Sequence, residues 1–558
     1  MSSFFKFIFL LASTSTSNSN SADLIIYGST PAGIASAVAF RTTTGSYNVN
    51  VSIILLDPGN RVGGMSSSGL GNSDVRTPKV LGGYPLDFFM KNAKIYDPNA
   101  TTPLFLLEPH IAERLFLDSL ISTKTTLISN VLGIDYVTLN KTSLISITTL
   151  NGLTYFGSYF IDASYEGDLL AASGVSVTIG RESKSFYGEK NAGRLGNNYS
   201  FLLPINPYND NGSLLPLMST TPFTEEGEGD SLVQSYCFRL CVTNVTSNRI
   251  DFPSPSNYNS SDFELFRRWI AKSSPVLESF FGYAFRIPGG GNSCCKFDLN
   301  SDFAISFDFV GGSIDWMNAS MRKNIWEAHR QYALGLFYVL QFDPSTPSLV
   351  RKEALQFGLC KDEFELTEGW PPQLYVREAR RLVGETVFTG VQLNTGVAPL
   401  GDSIGLGSYA MDVHHVERVP CIPKIPLPTG PFPGPFPPHD VVCEMIQPTI
   451  PPPYNTTVWV SMEGHGGDIG SPNFVFEMPY TLLLPQRSQA INLLAPTTPS
   501  ASHVAFNSIR METQFMMLGQ ASGVASALAF LNNKIAVQDV NVSVLQIELE
   551  QQGAKLHW

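Results

Sequence analysis

The sequence predicts an α/β fold in which a parallel β-sheet wound with helices continues into a β-meander and is interrupted by an inserted α+β domain. Three observations predict it. Residues 23–57 run as strand, glycine-bearing turn, helix and strand, which is the order of a βαβ unit. Residues 126–161 contain four short β-prone runs separated by turn residues. Residues 181–385 change to loops rich in asparagine, proline and glycine, with helical patterns over 262–272 and 321–340.

The βαβ unit has the features of a Rossmann-like dinucleotide site. Leu24–Tyr27 is a short apolar strand, and the turn from Gly28 to Gly33 leads into a helix of small residues. Such a turn directs backbone N–H groups and a helix N-terminus at one place, where a pyrophosphate would sit. Asp57 ends the second strand, where a carboxylate can accept hydrogen bonds from a ribose. Thr30 replaces the middle glycine of G-x-G-x-x-G, so an ordinary βα turn is the competing interpretation.

A second glycine-rich segment follows Asp57 directly. Five glycines fall within the 13 residues from Gly59 to Gly71. Glycine allows a positive φ or a close backbone approach. We therefore expect this loop to lie against a ligand, and a flexible surface loop is the alternative.

The next elements in order are a helix and the meander. Residues 108–120 have helical spacing of Ile111, Leu115 and Phe116, so a helix is predicted there. The predicted strands that follow are 126–128, 131–137, 144–150 and 155–161. A meander that joins a helix to the next parallel strand is typical of flavin-binding folds of the glutathione-reductase type.

The C-terminal part returns to the first domain. Residues 491–495 read as a buried strand, and residues 501–531 as a loop followed by a helix. We predict a helix N-terminus near Ser508, whose positive end would face an electron-rich ring. Reduced flavin develops negative charge at its pyrimidine side, so this arrangement would stabilise the reduced state.

Composition limits the partners and the location. The net charge of -12 argues against nucleic acid, and no run approaches the roughly 18 apolar residues of a membrane span. Residues 1–22 resemble a secretory signal, with a disordered tail as the alternative. We expect a secreted glycoprotein, because ten N-x-S/T sequons accompany this leader. They are Asn50, Asn99, Asn140, Asn198, Asn211, Asn244, Asn259, Asn318, Asn455 and Asn541.

The seven cysteines do not form a dense framework. In an oxidising compartment Cys237 with Cys241, or Cys421 with Cys443, could pair. The spacings of iron–sulfur and zinc sites are absent, so no metal site is predicted.

Six blocks of the chain resemble the FAD-dependent oxidoreductase family. They are GSTPAGIASA, GGMSSSGLG, YFIDASYEGDLLAASGV, QLYVREARRLVGETVFTG, IGLGSYAMDVHH and SASHVAFNSIRMETQFMMLGQASGVASALA. With shorter similar stretches they span about residues 23–531. The resemblance implies FAD as cofactor and a glutathione-reductase-like FAD-binding fold. Some members carry a xanthan-lyase label.

The resemblance also implies the residues of the FAD site. They would be Gly28, Thr30, Pro31, Ala32 and Gly33 at the pyrophosphate, Asp57 at the adenosine ribose, Gly63, Gly64 and Met65 along the ribityl chain and flavin, the backbone of Val131 at the adenine, Ser164 and Asp168 near the pyrophosphate or adenine edge, and Ser508, Ile509 and Arg510 at the flavin pyrimidine. One departure is Ala495-Pro496-Thr497, where many flavoproteins place Gly-Asp or Gly-Arg.

The predicted segments follow from these patterns. They are 1–22 as a signal peptide or disordered leader, 23–180 and 455–535 as the first and last parts of the FAD-binding domain, 181–385 as the substrate-side domain, 386–419 as a return segment, 420–454 as a proline-rich surface excursion and 536–558 as a C-terminal tail.

Candidates for proton transfer are few. Histidine can act as a base or orient a substrate at neutral pH. His503, His414 and His415 fall within the family-like blocks, so we name them as catalytic candidates, with a structural role as the alternative. The arginines of YVREARR could bind a substrate carboxylate, but ion pairs with Glu378 and Glu385 are favoured.

The leading functional hypothesis is a secreted FAD-dependent oxidoreductase. A small organic substrate would pass a hydride to flavin N5, and electrons would leave to oxygen or another acceptor. A polysaccharide lyase is one alternative, although the acidic net charge disfavours a polyanion groove. A binding protein that kept the fold but lost turnover is the other. The glycine loop after Asp57 and the C-terminal helix argue against an NAD-dependent enzyme, and the single βα fingerprint argues against a separate NAD(P)H domain.

Overall fold

The computed structural model describes most of the chain. The described residues are 20–195, 199–200, 205–222, 224–273, 285–286, 296–299, 308–398, 400–423, 443–445, 447, 458–463 and 474–558. Residues 1–19 of the predicted leader and most of the proline-rich excursion lie outside them. The last two residues of that leader, Ser21 and Ala22, instead begin the first strand and pair with Phe156 and Gly157, so the predicted boundary at residue 22 was wrong.

The strands of the described residues are short and spread along the whole chain. They are β1 Ser21–Tyr27, β2 Ile53–Leu56, β3 Thr126–Ile128, β4 Ile134–Asn140, β5 Ser143–Thr149, β6 Thr154–Asp162, β7 Val177–Thr178, β8 Tyr199–Ser200, β9 Leu240–Thr243, β10 Arg249–Ile250, β11 Phe285–Arg286, β12 Lys296–Leu299, β13 Gly358–Cys360, β14 Arg381–Leu382, β15 Ser403–Gly407, β16 Glu417–Pro423, β17 Cys443–Met445, β18 Trp459–Glu463, β19 Phe476–Pro479 and β20 Leu493–Leu494.

The α-helices of the same residues cluster around the first strands and the C-terminus. They are α1 Pro31–Ser46, α2 Gly64–Ser67, α3 Gly83–Tyr96, α4 Pro109–Ser122, α5 Asp168–Ala172, α6 Lys184–Tyr187, α7 Glu264–Ser273, α8 Arg322–Phe342, α9 Ser348–Ala354, α10 Gly390–Leu393, α11 His503–Ile509, α12 Glu512–Leu531 and α13 Val542–Gln551.

The main sheet joins the first strands to the end of the chain. Its order is β3-β2-β1-β6-β5-β4, and β20 pairs with the second half of β6. β3, β2, β1, β6 and β20 run parallel, whereas β4 and β5 return antiparallel. The predicted parallel sheet and meander are therefore present, and β4 and β5 extend the same sheet.

Helix α1 is longer than the small-residue segment suggested. It continues past Phe40 to Ser46 through the run Thr42-Thr43-Thr44, which is weakly helix-forming. Phe40, Thr43 and Thr44 are buried, and the Thr44 hydroxyl donates to the Phe40 carbonyl over 2.9 Å. Burial of this face thus outweighs the local propensity.

Helices α1 and α12 pack together through small residues. A Cβ at Gly519 would lie 2.7 Å from the Ala32 Cα, and one at Gly523 would lie 2.9 Å from the Ala39 Cβ. The Ser36 hydroxyl donates to the Gly519 carbonyl over 2.8 Å. This close approach joins α12 to α1, the helix that follows the first turn.

Helix α12 is also the one described helix that meets the length and composition of a membrane span, with 83% of its most apolar window buried inside the protein. The residues that face α1 and the sheet account for this burial. Its composition is thus explained by its place in the core.

A second sheet belongs to the middle of the chain. Its order is β10-β13-β9-β12-β11, and all of its described pairs are antiparallel. Helix α8 packs beside it, with Tyr332, Leu336 and Leu340 buried. These elements have the α+β character predicted for 181–385, while the domain boundaries themselves stay predictions.

The last residues are ordered by packing. Helix α13 buries Leu545 and Leu549, and Leu556 beyond it is buried as well. The predicted tail is thus part of the fold, because its apolar residues return to the core.

The cysteine predictions have mixed outcomes. Cys237 and Cys241 are buried free thiols, so the pairing of these two was wrong. They lie four residues apart around β9, whose extended backbone separates their side chains. Cys421 is disulfide-bonded.

Candidate functional site

A cleft opens at the carboxyl ends of β1, β2 and β6. It has a volume of about 330 Å³, and its lining includes Gly28, Thr30, Asp57 and Ser164. The chain order reverses here, because β2 and β3 lie on one side of β1 and β6 on the other. Ligands of open α/β sheets bind at such a switch point.

The first turn is shaped for close approach of a ligand. Gly28 has a φ of +106°, and a Cβ there would lie 2.6 Å from the Ala163 carbonyl carbon. A Cβ at Gly33 would collide with the Gly28 carbonyl oxygen. Both positions therefore require glycine.

Thr30 has a structural reason to replace glycine. It is the N-cap of α1, and its hydroxyl accepts from the Gly33 N–H over 3.3 Å. The same hydroxyl donates to the Ala163 carbonyl over 2.7 Å. Pro31 begins the helix, where a missing N–H costs nothing. Ala32 is buried, and its backbone lies against Gly519 of α12 behind the turn.

Asp57 carries an unused acceptor into the cleft. Its Oδ2 is buried and has no hydrogen-bond partner, whereas Oδ1 accepts weakly from the Ser29 N–H at 3.5 Å. Burial raises the pKa of this carboxyl to about 6. A buried acceptor without a partner is costly unless a ligand supplies a donor, which a ribose hydroxyl would do.

Two arginines and a serine of the cleft did not emerge from the sequence. The Nη2 of Arg61 and the hydroxyl of Ser68 are buried without partners, and both residues line the cleft. Arg61 stands two residues before the glycine pair, so its position was the available signal. Arg322 also lines the cleft but comes from α8, and no local pattern marks it.

Ser164 and Asp168 both line the cleft, as the resemblance implied. The Ser164 hydroxyl donates to Asp162 and accepts from the Asp168 N–H over 3.2 Å. Two Arg322 nitrogens donate to the Asp168 carboxylate at 2.6 and 2.7 Å. Since Asp168 is neutralised in this way, it does not repel a pyrophosphate.

Val131 lies beside Asp57. Its side chain is fully buried, and its N–H donates to the Asp57 carbonyl over 3.1 Å. The N–H is therefore committed to the fold, and the backbone contact implied for the adenine would fall to the carbonyl.

The second glycine turn leads inward from the cleft. Gly63 and Gly64 have φ values of +106° and +51°. The Met65 N–H donates to the Tyr165 hydroxyl over 3.0 Å, and that hydroxyl donates to Glu512 Oε1 over 2.6 Å. Glu512 is the first residue of α12, and burial raises its pKa to about 8. Its Oε2 is buried and has no partner among the described residues.

The predicted helix N-terminus at Ser508 was wrong. α11 begins at His503, and Ser508 and Ile509 stand at its end. The chain breaks at Arg510-Met511, and α12 begins at Glu512. The Gln514 amide caps the break, since it donates to the Ser508 and Ile509 carbonyls at 2.7 and 2.9 Å.

Arg510 belongs to a buried cluster around Tyr375. Three guanidinium groups surround this ring, with that of Arg377 at 4.8 Å from its centre and those of Arg239 and Arg510 at 5.9 Å. The Arg510 Nη1 also donates to the Tyr375 hydroxyl over 3.2 Å. Burial is the main cause that raises the pKa of Tyr165, and Tyr375 adds a smaller contribution.

Each arginine of the cluster has its own carboxylate. Arg239 Nε donates to Asp298 at 2.8 Å. Arg377 Nη2 donates to Asp308 at 2.9 Å, and Arg510 Nη2 to Asp412 at 2.7 Å. Asp308 and Asp412 are shared with His414, whose Nδ1 lies 2.6 Å from Asp308 and whose Nε2 lies 3.8 Å from Asp412.

Asp74 is an acid of this cluster that the sequence analysis missed. It follows the predicted ligand loop, and its pKa is raised to about 6 by burial and then by Asp412. Arg239 and Arg510 oppose that rise. The signal that could have found it is its place directly after the second glycine segment.

The predicted catalytic histidines lie in one buried polar layer. His503 Nδ1 lies 2.9 Å from Glu378 Oε1, and His414 Nδ1 lies 2.6 Å from Asp308 Oδ2. Gln234 connects them, because it donates to Glu378 and accepts from the His414 N–H. His415 is buried next to this layer, and its carbonyl accepts from the Ser235 N–H. Their catalytic role stays a prediction.

The arginines of YVREARR form ion pairs. Arg381 pairs with Glu378 and Glu182, Arg380 with Asp168, and Arg377 with Asp308. The predicted ion pair with Glu378 is confirmed. Glu385 instead accepts from the Arg487 N–H, so its pairing with these arginines was wrong.

One described group of two carboxylates and a histidine resembles a metal site. Glu108, His110 and Glu363 bring ligand atoms within 4.8 Å of one another. The Lys296 ammonium donates to Glu108 and Glu363 at 2.7 Å each and to Asp362 at 3.0 Å. The lysine supplies the positive charge that a metal would bring.

These residues fit a dinucleotide cofactor such as FAD. The cradle of Gly28 and Gly33 excludes any side chain, and the unpartnered atoms of Asp57, Arg61 and Ser68 line the same cleft. An anionic diphosphate would meet the α1 N-terminus and two arginines there.

A family model described as "FAD dependent oxidoreductase" matches residues 23–549. No curated protein matches this chain.

Several solved structures share part of the fold. THI4 of Thermovibrio ammonificans is 12% identical over 32% of this chain and 70% of its own, with a TM-score of 0.21. The OxyS anhydrotetracycline hydroxylase of Streptomyces rimosus is 13% identical over 29% of this chain and 36% of its own, with a TM-score of 0.20. Thioredoxin reductase of T. acidophilum is 17% identical over 26% of this chain and 35% of its own, with a TM-score of 0.16. At these scores the likenesses carry no functional argument.

Proposed function

Because the chain belongs to the FAD-dependent oxidoreductase family, we propose that it oxidises a small organic substrate and passes the electrons to oxygen or another small acceptor. When bound, FAD supplies the two-electron chemistry by accepting a hydride at N5. The chain supplies binding, orientation and the local field. The observation that supports this proposal is the cleft itself, whose glycine cradle excludes side chains and whose Asp57 carboxyl offers a buried acceptor without a partner.

The cleft residues would hold the adenosine diphosphate half. The turn N–H groups and the start of α1 face the diphosphate, with Arg61 and Arg322 adding positive charge. Asp57 accepts from the ribose. Tyr165 lines the cleft and holds the Gly64-Met65 turn in place through its bond to the Met65 N–H. This fixes the backbone along which the ribityl chain would run.

The cluster at Tyr375 would hold the reacting part of the substrate. Its arginines and aspartates are largely buried, so water is excluded and hydrogen bonds gain strength. His503 and His414 are each bonded to a buried carboxylate. In that position they orient Gln234, Asn507 and Arg510.

The visible absorption spectrum of the purified protein tests this proposal. We expect a yellow protein that retains FAD or takes it up when the cofactor is added, and that bleaches under anaerobic conditions with an organic reductant. A colourless preparation that cannot be reconstituted with FAD would contradict the proposal. Product analysis on a polyuronate gives the corresponding test of lyase activity, for which we expect no unsaturated product.

We also propose that the protein is secreted and N-glycosylated. All eight sequon asparagines within the described residues are exposed, which supports access to the glycosylation machinery. The disulfide at Cys421 supports an oxidising compartment. Treatment of the protein from its native source with an N-glycosidase is expected to lower its mass by several glycans. An unchanged mass would contradict glycosylation.

A further inference from the structure

We propose that Cys241 and Cys360, which are both thiols in this structure, form a disulfide bond between β9 and β13 when the chain folds in an oxidising compartment. This modification of the second sheet does not depend on the proposed FAD-dependent function. It is carried by the register of the two strands, by the shared burial of the two side chains and by the chemistry of their surroundings.

The two cysteines stand opposite each other on neighbouring antiparallel strands. The register of β9 with β13 places Val242 opposite Leu359. The next step of this register sets Cys241 opposite Cys360. Opposed residues of an antiparallel pair have Cα atoms about 4.5–5.5 Å apart, and a disulfide needs about 4.4–6.8 Å. The register therefore gives the backbone spacing that a disulfide requires.

Both cysteine side chains lie on one face of the second sheet and are buried there. Side chains alternate along a strand, so Cys241 and Cys360 share the face opposite to Val242 and Leu359. They are 1% and 0% exposed, and together with Phe364 they form one buried cluster. The two side chains are therefore neighbours in the protein interior.

The surroundings of the pair favour a permanent bond over a reversible switch. Burial raises the pKa of the Cys241 thiol well above its usual value, and the neighbouring Cys360 adds to the rise. Thiol–disulfide exchange needs a thiolate that a second reactant can reach, and the buried pair offers neither in the folded protein. The bond would therefore form while the chain folds and then persist.

The chemical step is thiol–disulfide exchange with a disulfide-carrying oxidant, such as glutathione disulfide or an oxidised dithiol protein. The S–H bonds of Cys241 and Cys360 break, and one S–S bond forms between the two sulfurs. The S–S bond of the oxidant breaks at the same time. The cysteine pair loses two electrons and two protons, and the oxidant takes up both and leaves as two thiols.

The bond would restrain the strands that support the second glycine segment. A Cβ at Gly69 would collide with the carbonyl of Arg239, the residue before β9. β12 pairs with the other side of β9, and its Asp298 accepts from the Gly71 N–H over 2.9 Å. The bond would also close a loop of about 120 residues, and long loops give the largest gain in stability. We therefore expect a structural cross-link that stabilises the fold.

Peptide mapping tests the bond directly, because trypsin places three cysteines on different peptides. Cys237 falls in peptide 195–239, Cys241 in peptide 240–249 and Cys360 in peptide 353–361. The full chain is secreted through the endoplasmic reticulum of a eukaryotic host and alkylated under denaturing conditions before any reduction. It is then treated with an N-glycosidase, since Asn244 is a sequon, and digested.

We expect peptide 240–249 to be linked to peptide 353–361, with Cys237 alkylated. The variant Cys237→Ala is the matched control, because it removes another buried thiol and should keep the linked peptide. Cys360→Ala should lose it. Alkylated Cys241 and Cys360 in the secreted wild type overturn the proposal, and so does a link between peptides 195–239 and 240–249.

Melting temperatures test whether the bond stabilises the fold. The wild type and Cys360→Ala are compared as secreted proteins and again after production in the reducing bacterial cytosol, where both lack the bond. The difference between them should be larger by at least about 3 °C in the secreted pair. Equal differences in the two settings overturn the stabilising role. Neither measurement uses FAD, so a failure here is distinguishable from a failure of the proposed function.

Discussion

At the scale of single residues, several buried carboxyl groups around the cleft bind their protons more tightly than usual, whereas the pKa values of Asp308 and Glu378 are lowered by their cationic partners. Burial raises the pKa of Asp57, Asp74 and Asp162 to about 6 and that of Glu512 to about 8. Shifted values of this kind gather at functional sites, where polar groups are kept dry for a ligand. Asp162 is an exception, because it accepts hydrogen bonds from Ser164 and Leu170 and shapes the turn after β6.

The first prediction concerns Asp57. Asp57→Asn removes the charged acceptor for the ribose and should weaken FAD binding by about 10- to 100-fold, since a hydrogen bond to a charged group contributes about 1.5–3 kcal/mol. Equilibrium titration of the apoprotein with FAD gives the dissociation constant. Asp118→Asn should bind FAD like the wild type, and equal affinities in all three proteins would show that Asp57 does not contact the cofactor.

The second prediction concerns Glu512. Its folded pKa of about 8 lies above the ordinary value of 4.5, so the folded state holds the proton more tightly. The contribution of Glu512 to the free energy of unfolding is therefore fully present below pH 4.5. It is lost as the pH rises towards 8, by up to about 1.4 kcal/mol per pH unit. Glu512→Gln should remove this part of the slope. Urea unfolding of the two apoproteins at pH 5 and pH 8 measures it, and parallel slopes would refute a protonated Glu512.

At the scale of elements, the close contact between α1 and α12 controls the cofactor turn. Gly519 lies against the backbone of Ala32, which is part of the turn at the start of α1. The Ser36 hydroxyl bridges the two helices. The far end of the chain thus sets the position of the first turn.

The third prediction tests this helix pair. Gly519→Val forces the two backbones apart and should destabilise the protein by about 1–3 kcal/mol while weakening FAD binding. Gly45→Ala is the control, because a Cβ at Gly45 meets nothing within 4 Å. That variant should be neutral or more stable by up to about 1 kcal/mol. Guanidinium unfolding and FAD titration give both quantities, and a stable Gly519→Val variant with normal FAD affinity would disprove the tight contact.

At the scale of the whole molecule, charged pairs tie the middle of the chain to the main sheet. Arg322 on α8 holds Asp168 at the carboxyl end of β6. Lys296 on β12 is almost fully buried and contacts Glu108, the residue before α4. Both links connect the second sheet and its helices to the elements around the cleft.

The fourth prediction concerns Lys296. Lys296→Met leaves the carboxylates of Glu108 and Glu363 buried without their cation, which should cost about 3–5 kcal/mol of stability. Lys361→Met changes an exposed neighbour of the same type and should alter stability by less than about 0.5 kcal/mol. Chemical unfolding measures the stability of both variants. Equal effects of the two substitutions would show that the ion pairs of Lys296 do not stabilise the fold.

Local sequence patterns were enough to predict the strands and turn residues that form the first part of the nucleotide site. The alternation of apolar runs and turn residues predicted β1 to β6, with boundaries within about three residues of the observed ones. Gly28 and Gly33 were recognised because a positive φ or a close approach limits the residue type. Asp57 was recognised because it directly follows a strand.

The break between α11 and α12 was not predictable in this way. The segment Asn507 to Glu512 contains no glycine or proline, so the pattern predicted a continuous helix. The break depends on Gln514, which caps the carbonyls of α11, and on Arg510, which is anchored by Asp412 and Tyr375. Asp412 and Tyr375 are distant in the sequence.

The sequence by itself determined the fold class and the turn that would bind a dinucleotide, because these depend on residues that are close along the chain. FAD as the cofactor followed from the resemblance of six longer blocks to a known family. The tertiary structure alone decided the chemistry-bearing cluster, in which Asp74, Arg239, Tyr375 and Arg510 come from four separate segments. The physical reason is that charge pairing and burial are set by contacts through space. No local pattern marks the three arginines and their aspartates as neighbours of Tyr375.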